Sequence, residues 1–291
     1  MRLLRIVLGA LILLFITSPA HAIKIGLLTD SNRAYVGATT VAEVIDVRTN
    51  KLLFSMNKMQ GYDFRPNGKY ITVRINGEWQ TLPTDNIVIK PDIDGYVSVK
   101  KKWYRGFLRI INSGAGITVI NDVELEKYLL GVVPSEMPPA WELDAHKAQA
   151  IAARSYAVAN LGKRARHGYD LNDTEADQVY NGASAETSQT NSAVEETSGI
   201  VLICNNKVIP AYYSASAGGR TLSAKQVWKT DAEFTHSVPS FDENVKKKGH
   251  GVGMSQHGAN NLAKKGYNSY QILKYFYANT QFAKLNPDAY K

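Results

Sequence analysis

The chain has 291 residues, of which 44% are hydrophobic, and its formal net charge is +8. This length suffices for one large domain or two modest ones with a packed core, and the single cysteine, Cys204, excludes an intrachain disulfide. The basic clusters at 100–102, 163–166 and 246–248 are short and lie beside turn signals, so they favour solvated faces over a nucleic-acid interface.

The N-terminus is typical of a secretory signal. Arg2 and Arg5 precede an apolar run over 6–16, and Ala20-His21-Ala22 fits the small-x-small rule for cleavage after Ala22. The run is short for a membrane span, which takes about 20 residues, so an uncleaved anchor is the less favoured alternative. We expect export to the periplasm or cell wall, with no membrane span after cleavage. The exported chain keeps 32 basic and 26 acidic residues, a net charge of +6, which suits a polyanionic surface such as a bacterial wall.

From Ile23 to about Asn121 the sequence predicts strands. Short segments rich in β-branched and aromatic residues alternate with Asn, Asp, Gly and Pro. We assign residues 23–100 to a β-rich N-terminal module. Helical patterns follow it, so we expect an α+β fold in which this module packs with a mixed domain around a central helix and a substrate cleft.

The pattern changes to helices at Glu124. Residues 122–133 have helical spacing, and we expect this helix to stop at Pro134. Residues 141–163 predict a long Ala-rich helix with small and apolar groups along one face, typical of the buried centre of a fold. A polar loop and a second helix over 169–198, a hairpin turning at Asn205-Asn206 and two short C-terminal helices complete the prediction.

Metal and serine-nucleophile chemistry find little support. His250 and His257 are seven residues apart, which is not the spacing of a helical metal pair, and no cysteine pair exists. None of the serines lies in a G-x-S-x-G motif. We therefore predict no metal ion and no other cofactor.

Glu136 is the most distinctive acid, in the stretch GVVPSEMPPAW. Pro134 and Pro138-Pro139 frame it, which predicts a stiff loop before the Ala-rich helix. Near Met137 and Trp141, desolvation would raise the pKa of this carboxyl and keep it protonated, as a general acid requires. The alternative is a loop glutamate at a helix N-terminus, where the helix dipole favours the anion.

These residues also carry a family resemblance. Residues 131–158, GVVPSEMPPAWELDAHKAQAIAARSYAV, resemble the signature of the stage II sporulation protein D family, which includes the amidase enhancers. NDVELEKYLLGVV, SASAGGRTLSAKQVW and GHGVGMSQHGANNLAKKGYNSYQIL resemble three further motifs in the same order. The resemblance runs from about Trp103 to Tyr277, and on this basis we assign residues 101–291 to the catalytic domain.

The resemblance implies an exported peptidoglycan lytic transglycosylase that acts on peptide-stripped glycan strands. Its catalytic acid maps onto Glu136 and its helix arginine onto Arg154, for which a structural ion pair is the alternative. Ordinary glycosidases need two carboxylates. A lytic transglycosylase needs one, because the 6-hydroxyl of the substrate is the nucleophile and the product is a 1,6-anhydro-muramic end.

A carbohydrate groove would also draw on polar or backbone-exposing groups in these motifs, and for Tyr156 the alternative is a packing role. The candidate substrate-binding residues are Tyr156, Ser214, Ser216, Gly218, Gly219, His250, Ser255 and Gln256. The expected partners are glycan strands and, second, a cell-wall amidase, without nucleic acid. The rival hypothesis is a wall-binding amidase enhancer that has no catalytic activity.

The sequence departs from the family pattern at several places. Some members carry a zinc site with cysteines where Asn172 and Asp177 stand, and of that site only His167 is retained. His257 replaces a residue that is usually aromatic, so we interpret it as a packing ring. The link between Trp228 and Gly249 is short compared with many members, so the sequence does not predict whether this link builds a groove wall.

Overall fold

A computed structural model describes residues 22–285 of the chain. Apart from Ala22, the predicted signal segment lies outside the described residues. Among the helices of the described part, none is long and apolar enough to cross a membrane.

The first hundred described residues form strands because apolar side chains alternate with polar ones. In β6, for example, Ile71 and Val73 are buried while Tyr70 and Arg74 face solvent. The strands are β1 (Ile23–Ser31), β2 (Ala34–Ala38), β3 (Ala42–Asp46), β4 (Lys51–Met56), β5 (Gly61–Asn67), β6 (Tyr70–Ile75), β7 (Glu78–Leu82), β8 (Asn86–Pro91), β9 (Val97–Val99), β10 (Lys102–Tyr104), β11 (Phe107–Asn112) and β12 (Ile117–Val123).

These strands build two sheets that share one hydrophobic core. One sheet has seven strands in the order β13-β1-β12-β11-β8-β3-β4, where β13 is the short strand Leu171–Asn172. The other has six strands in the order β10-β9-β2-β5-β6-β7. Val36 and Phe64 of the second sheet belong to the same buried cluster as Ile89 and Ile110 of the first. The predicted α+β fold is confirmed, since helices follow this β part.

The expected module boundary at residue 100 falls inside the hairpin of β9 and β10. Strands β11 and β12 then pair with β8 and β1, so the β part continues to Val123. The change from strands to helices at Glu124 is the point where the sequence pattern also changes.

A central helix organises the second half of the chain. Helix α2 packs against α1, α3, α5, α6 and strand β14. Alanines along its length, such as Ala148 and Ala152, are fully buried and let these neighbours approach closely, as predicted. The helices are α1 (Leu125–Glu136), α2 (Leu143–Ala159), α3 (Ser188–Glu196), α4 (Ala224–Trp228), α5 (Gln256–Lys264) and α6 (Ser269–Phe276).

The expectation that α1 ends at Pro134 and that Glu136 lies on a loop is wrong. The helix includes Pro134 in its last turn and ends at Glu136, where the Met137 N–H still bonds to the Val133 carbonyl. Pro134 lacks the N–H that would bond to the Leu130 carbonyl, so α1 loses one hydrogen bond here and still continues past the proline. The hydroxyl of Ser135 also bonds back to the Gly131 carbonyl, at 2.6 Å. Glu136 is therefore placed by a helix, which is more rigid than a loop.

Two small sheets complete the fold. Strand β14 (Ile200–Cys204) lies between β15 (Lys207–Val208) and β18 (Gln281–Lys284), and the predicted turn at Asn205-Asn206 is confirmed by positive φ angles at both residues. Strands β16 (Tyr213–Ser214) and β17 (Met254–Ser255) pair in parallel. This last pair brings two distant family motifs side by side.

Candidate active site

A cleft of about 450 Å³ opens where the end of α1 faces the β16–β17 pair. Its walls also include α2, the segment 163–179, α4 and the loop before β17. The structure brings half of the residues predicted for the site into this cleft, namely Glu136, Tyr156, Ser214, His250 and Gln256.

Three hydrogen-bond donors surround the Glu136 carboxylate. The Val179 N–H donates to Oε1 over 2.8 Å, and the Tyr213 hydroxyl donates to the same oxygen over 3.3 Å. The side-chain amide of Gln256 donates to Oε2 over 3.2 Å. Oε1 is held by two donors and Oε2 by one, so Oε2 is the oxygen with room for a proton.

Burial raises the pKa of Glu136, and the negative charge of Glu175 adds to the rise. The three donors stabilise the anion and offset part of this rise, but the net shift is upward. The carboxyl also lies at the C-terminal end of α1, where the free carbonyl groups of the helix disfavour an anion. Glu136 therefore keeps its proton to higher pH than an exposed glutamate, which suits a general acid.

The hydroxyl of Tyr213 is oriented by Gln178. The Gln178 amide nitrogen donates to the Ala153 carbonyl over 3.2 Å and to the Tyr213 oxygen over 2.9 Å. Because a carbonyl can only accept, the main chain determines which end of this amide is the nitrogen. The Tyr213 oxygen accepts from Gln178, and its own hydrogen is left for Glu136.

The segment that carries Val179 is held by a buried carboxylate. The Asp177 side chain has no exposed surface and accepts hydrogen bonds from Lys163 at 2.6 Å, Arg164 at 2.5 Å and the Asn172 N–H at 2.8 Å. Burial acts to raise the pKa of Asp177, but these donors outweigh it and lower the pKa. Asp177 therefore stays ionised, and it fixes the backbone two residues before the Val179 N–H.

Aromatic rings line the opposite wall of the cleft. The Trp228 ring contacts Tyr212 edge-on at 4.7 Å and His250 at 5.0 Å between ring centroids. Burial and the charge of Lys247 lower the pKa of His250, and its Nδ1 accepts from the Val252 N–H at 2.9 Å. The imidazole is therefore neutral near pH 7. A wall of flat rings beside polar groups suits the binding of sugar rings.

The remaining predicted binding residues surround Asp242 instead of lining the cleft. The carboxylate accepts from the hydroxyls of Ser216 at 2.9 Å and Ser255 at 2.6 Å, and from the Gly219 N–H at 2.7 Å. Gly218 joins through its N–H to the Ser216 hydroxyl, at 3.2 Å. Burial acts to raise the pKa of Asp242, but the donated hydrogen bonds outweigh it and lower the pKa to about 2.

The direct substrate contacts expected for Ser216, Gly218, Gly219 and Ser255 are therefore corrected to a supporting role. Ser216, Gly219 and Ser255 donate to Asp242, which lies in the Trp228–Gly249 link, and Gly218 donates to the Ser216 hydroxyl. The Ser255 hydroxyl also caps α5, by accepting from the Gly258 N–H at 3.1 Å. This cluster thus fixes the start of α5, whose first residue is the Glu136 partner Gln256.

The predicted catalytic role of Arg154 is also corrected. Its side chain is fully buried and forms a two-point ion pair with Glu126, with both N–O distances at 2.7 Å. Glu126 lies in the first turn of α1, ten residues before Glu136 and about 15 Å from it along the helix. Arg154 further donates to the Ile200 carbonyl, at 3.1 Å. The alternative of a structural ion pair is what the structure contains.

His257 packs edge-on against Trp141, with ring centroids 4.7 Å apart, as expected for a packing ring. Within residues 22–285, no group of three or more His, Cys, Asp and Glu side chains is arranged to hold a metal ion.

Sequence reasoning missed several partners of Glu136. Tyr213 could have been found from its place beside the predicted Ser214, since the paired tyrosines of AYYS precede a polar motif. The Val179 N–H has no sequence signal, because any residue other than proline supplies that group. Glu175 and Lys163 lie in a polar stretch that gives no sign of facing a cleft.

Comparison with known proteins finds a family match for part of the chain. Residues 113–204 match the SpoIID family, described as stage II sporulation protein. The chain is 30% identical over 208 residues to an uncharacterised protein of Brachyspira hyodysenteriae, covering 71% of this chain and 52% of that protein. It is 44% identical over 106 residues to the amidase enhancer of Bacillus subtilis, covering 36% of this chain and 14% of the enhancer.

The stage II sporulation protein D of Bacillus subtilis is 26% identical, and the match covers 57% of this chain and 76% of that protein. The chain thus spans about half of the Brachyspira protein and a small part of the amidase enhancer. Residues 113–204, which include α1, α2 and the segment around Asp177, are therefore the part of the chain that matches the SpoIID family.

Proposed function

We propose that this protein is an exported peptidoglycan lytic transglycosylase that cleaves the MurNAc–GlcNAc bond with Glu136 as its only acid and base. The observation that carries the proposal is the setting of Glu136. It is a desolvated carboxyl at a helix C-terminus, and it forms no salt bridge within the described part of the chain. Asp177, in contrast, is neutralised by Lys163 and Arg164.

The proposed reaction begins with a protonated Glu136. Oε2 gives its proton to the glycosidic oxygen as the bond from that oxygen to the muramic C1 breaks. The 6-hydroxyl of the same muramic residue then attacks C1, and its proton passes to Glu136, which restores the acid. The product is a 1,6-anhydro ring, and water is not consumed. The Val179 N–H and the Tyr213 hydroxyl stabilise the carboxylate that exists between the two proton transfers.

The cleft offers complementary groups for such a strand. The rings of Tyr212, Trp228 and His250 give a surface for sugar rings, and Lys248 adds a cation at the rim. A peptide-stripped muramic residue has a free lactyl carboxylate, which a lysine attracts. We infer export from the N-terminal signal pattern, because peptidoglycan lies outside the cytoplasm.

The decisive experiment uses the purified mature protein, peptide-stripped and intact strands, and mass spectrometry of the products. We expect anhydro-muramic ends from the wild type and a loss of roughly 100- to 10,000-fold in rate for Glu136→Gln. Gln keeps the shape of the side chain, and circular dichroism checks that the variant is folded. Equal rates in wild type and Glu136→Gln overturn the role of Glu136, and a folded wild type without anhydro products overturns the activity.

A second candidate function is amidase enhancement without catalysis. The 44% identity to an amidase enhancer and the +6 charge of the exported chain support it. It predicts that strand binding and stimulation of a cell-wall amidase both persist in Glu136→Gln. The first proposal predicts that binding persists while strand cleavage is lost.

A further inference from the structure

Gln149 is a buried side chain with an unmet hydrogen-bonding need beside the Glu136 site. It lies on α2 and has no exposed surface. Its Oε1 receives one long hydrogen bond from the Gln256 amide, at 3.5 Å. Its Nε2 has no partner among the residues that the structure describes. A buried N–H without a partner is costly and rare in folded proteins.

The observed arrangement is the one that an ionised Glu136 requires. The Gln256 Nε2 points between two acceptors, namely Oε2 of Glu136 at 3.2 Å and Oε1 of Gln149 at 3.5 Å. When the Gln256 Nε2 donates to the ionised carboxylate of Glu136, the same nitrogen is also the atom of Gln256 that faces Gln149. Gln149 must then present oxygen to it, and its own amide nitrogen is left unpaired.

A protonated Glu136 reverses this requirement. Its proton belongs on Oε2, because Oε1 already accepts from Val179 and Tyr213. The new O–H needs an acceptor, which Gln256 provides when its amide turns by half a rotation. The Gln149 amide can then turn as well and donate its Nε2–H to the same Gln256 oxygen. The donor that lacks a partner in the ionised state thereby gains one.

We propose that Gln149 and Gln256 form a two-position amide switch that turns with the proton of Glu136, Gln149 acting on it through Gln256. Gln149 is a positioning residue, because it touches Gln256 and does not line the cleft. Turning Gln256 moves its Nε2 away from both acceptors, whereas the Gln149 Nε2–H gains a partner that it lacks in the ionised arrangement, so it is the Gln149 side chain that favours the acid form. This deepens the proposed function, since a single carboxyl that first gives and then takes a proton needs surroundings that fit both states.

Other titratable groups also lie near Glu136. Lys163 and Asp177 face the cleft as an ion pair at 2.6 Å. The remaining titratable groups around Glu136 are Glu175 of the same segment, Tyr128 of α1, Tyr156 of α2, Tyr212 and Tyr213, and Lys248 and His250 of the loop before β17. Of these groups, only Tyr213 shares a hydrogen bond with Glu136. The amides of Gln149 and Gln256 are therefore the groups that must rearrange.

The test follows the side-chain amide resonances of ¹⁵N-glutamine-labelled mature protein by NMR as a function of pH, without substrate. Gln149→Met and Gln256→Met assign the two signals by their disappearance. We expect both signals to shift with one common midpoint and to stop titrating in Glu136→Gln. A Gln149 signal that does not follow the Gln256 midpoint overturns the switch. The measurement requires no enzymatic activity, so it stands or falls apart from the proposed function.

Kinetics then separate positioning from packing. Gln149→Met removes the bond that favours the protonated form, so the alkaline limb of kcat/KM should move to lower pH by roughly half a unit to one unit, with little change in KM. Ser155→Ala is the matched control, because Ser155 is equally buried on α2 but bonds to Ile151 and Leu202. The control should lose stability without moving the limb. An unmoved limb in folded Gln149→Met overturns the role of Gln149.

Discussion

The Tyr213 hydroxyl donates to Oε1 of Glu136 over 3.3 Å, and Gln178 fixes the direction of that bond from the main chain. The contact joins the parallel β16–β17 pair to the end of α1, two parts of the chain that are 77 residues apart. It means that the rise in the pKa of Glu136 caused by burial is partly offset by hydrogen bonds from elements that meet only in the folded protein.

Replacing Tyr213 by Phe tests this bond. The hydroxyl stabilises the carboxylate, so its loss should raise the pKa of Glu136. A general acid is active below its pKa, and the alkaline limb of kcat/KM should therefore move to higher pH by roughly half a unit to one unit. Tyr212→Phe is the matched control, since its ring lines the same wall, and its limb should stay in place. An unchanged alkaline limb of kcat/KM in Tyr213→Phe contradicts the hydrogen bond between Tyr213 and Glu136.

Gln178 should act only through Tyr213. Gln178→Met is expected to shift the limb in the same direction, because the hydroxyl is no longer held toward Glu136. The double variant with Tyr213→Phe should shift it no further than Tyr213→Phe alone. Additive shifts would show that Gln178 influences Glu136 by another route.

The Arg154–Glu126 pair should matter for stability and not for chemistry. Breaking a buried pair leaves an uncompensated charge, and because Glu126 is 35% exposed we expect Arg154→Met to cost about 2–4 kcal/mol in denaturant unfolding. Lys147→Met, which breaks the more exposed pair with Glu196, should cost under about 1 kcal/mol. A folded Arg154→Met variant that keeps the wild-type pH profile supports a structural role for Arg154. A loss of kcat without a loss of stability would instead restore a catalytic role.

The ionised Asp242 carboxylate stabilises the folded protein, and this contribution depends on pH in a defined range. Its pKa of about 2 lies below the ordinary value of 3.8, so the folded state favours the anion and gains about 2 kcal/mol above pH 4. This gain is lost as the pH falls through the range from about 4 to 2. Asp242→Asn should therefore lower the free energy of unfolding at pH 7, and the difference from wild type should shrink near pH 2.5. A difference that is independent of pH contradicts the ionised cluster.

Sequence patterns predicted the elements well but not the tertiary partners. The small-residue face of α2 and the Asn205-Asn206 turn follow from local rules, and both are present. Arg154 and Ser216 looked equally suited to a cleft, yet each bonds to a carboxylate far away in sequence, Glu126 or Asp242. Local sequence cannot distinguish a polar side chain that is free to bind substrate from one that is already hydrogen-bonded within the protein. The difference depends on a second residue that comes close only in the folded chain.

The same limit applies to Pro134, where a strong local rule predicted a helix end. The rule states a cost and not a prohibition, and α1 continues through Pro134 although the proline nitrogen cannot donate to the Leu130 carbonyl. The outcome changes the electrostatics of the site. Glu136 lies at a helix C-terminus, which disfavours its anion, instead of at the N-terminus of α2, which would favour it.

Glu175 provides the sharpest test of a one-carboxylate mechanism, because it lines the same cleft. A two-carboxylate hydrolase would use it as base or nucleophile, and Glu175→Gln would then abolish cleavage. The transglycosylase proposal predicts that Glu175→Gln still forms anhydro-muramic ends. Its pH profile should change, since Glu175 raises the pKa of Glu136 and its neutralisation should move the alkaline limb to lower pH.

The same reactions in oxygen-18 water distinguish the two chemistries directly. Hydrolysis places the label at the new reducing end, whereas attack by the 6-hydroxyl places none. Glu243→Gln is the control for removing an exposed glutamate outside the cleft, and it should leave both products and limb unchanged. Label in the product, together with an inactive Glu175→Gln, would replace the one-carboxylate mechanism with hydrolysis. Unlabelled anhydro ends from Glu175→Gln would show that the cleavage does not require Glu175 as a second carboxyl.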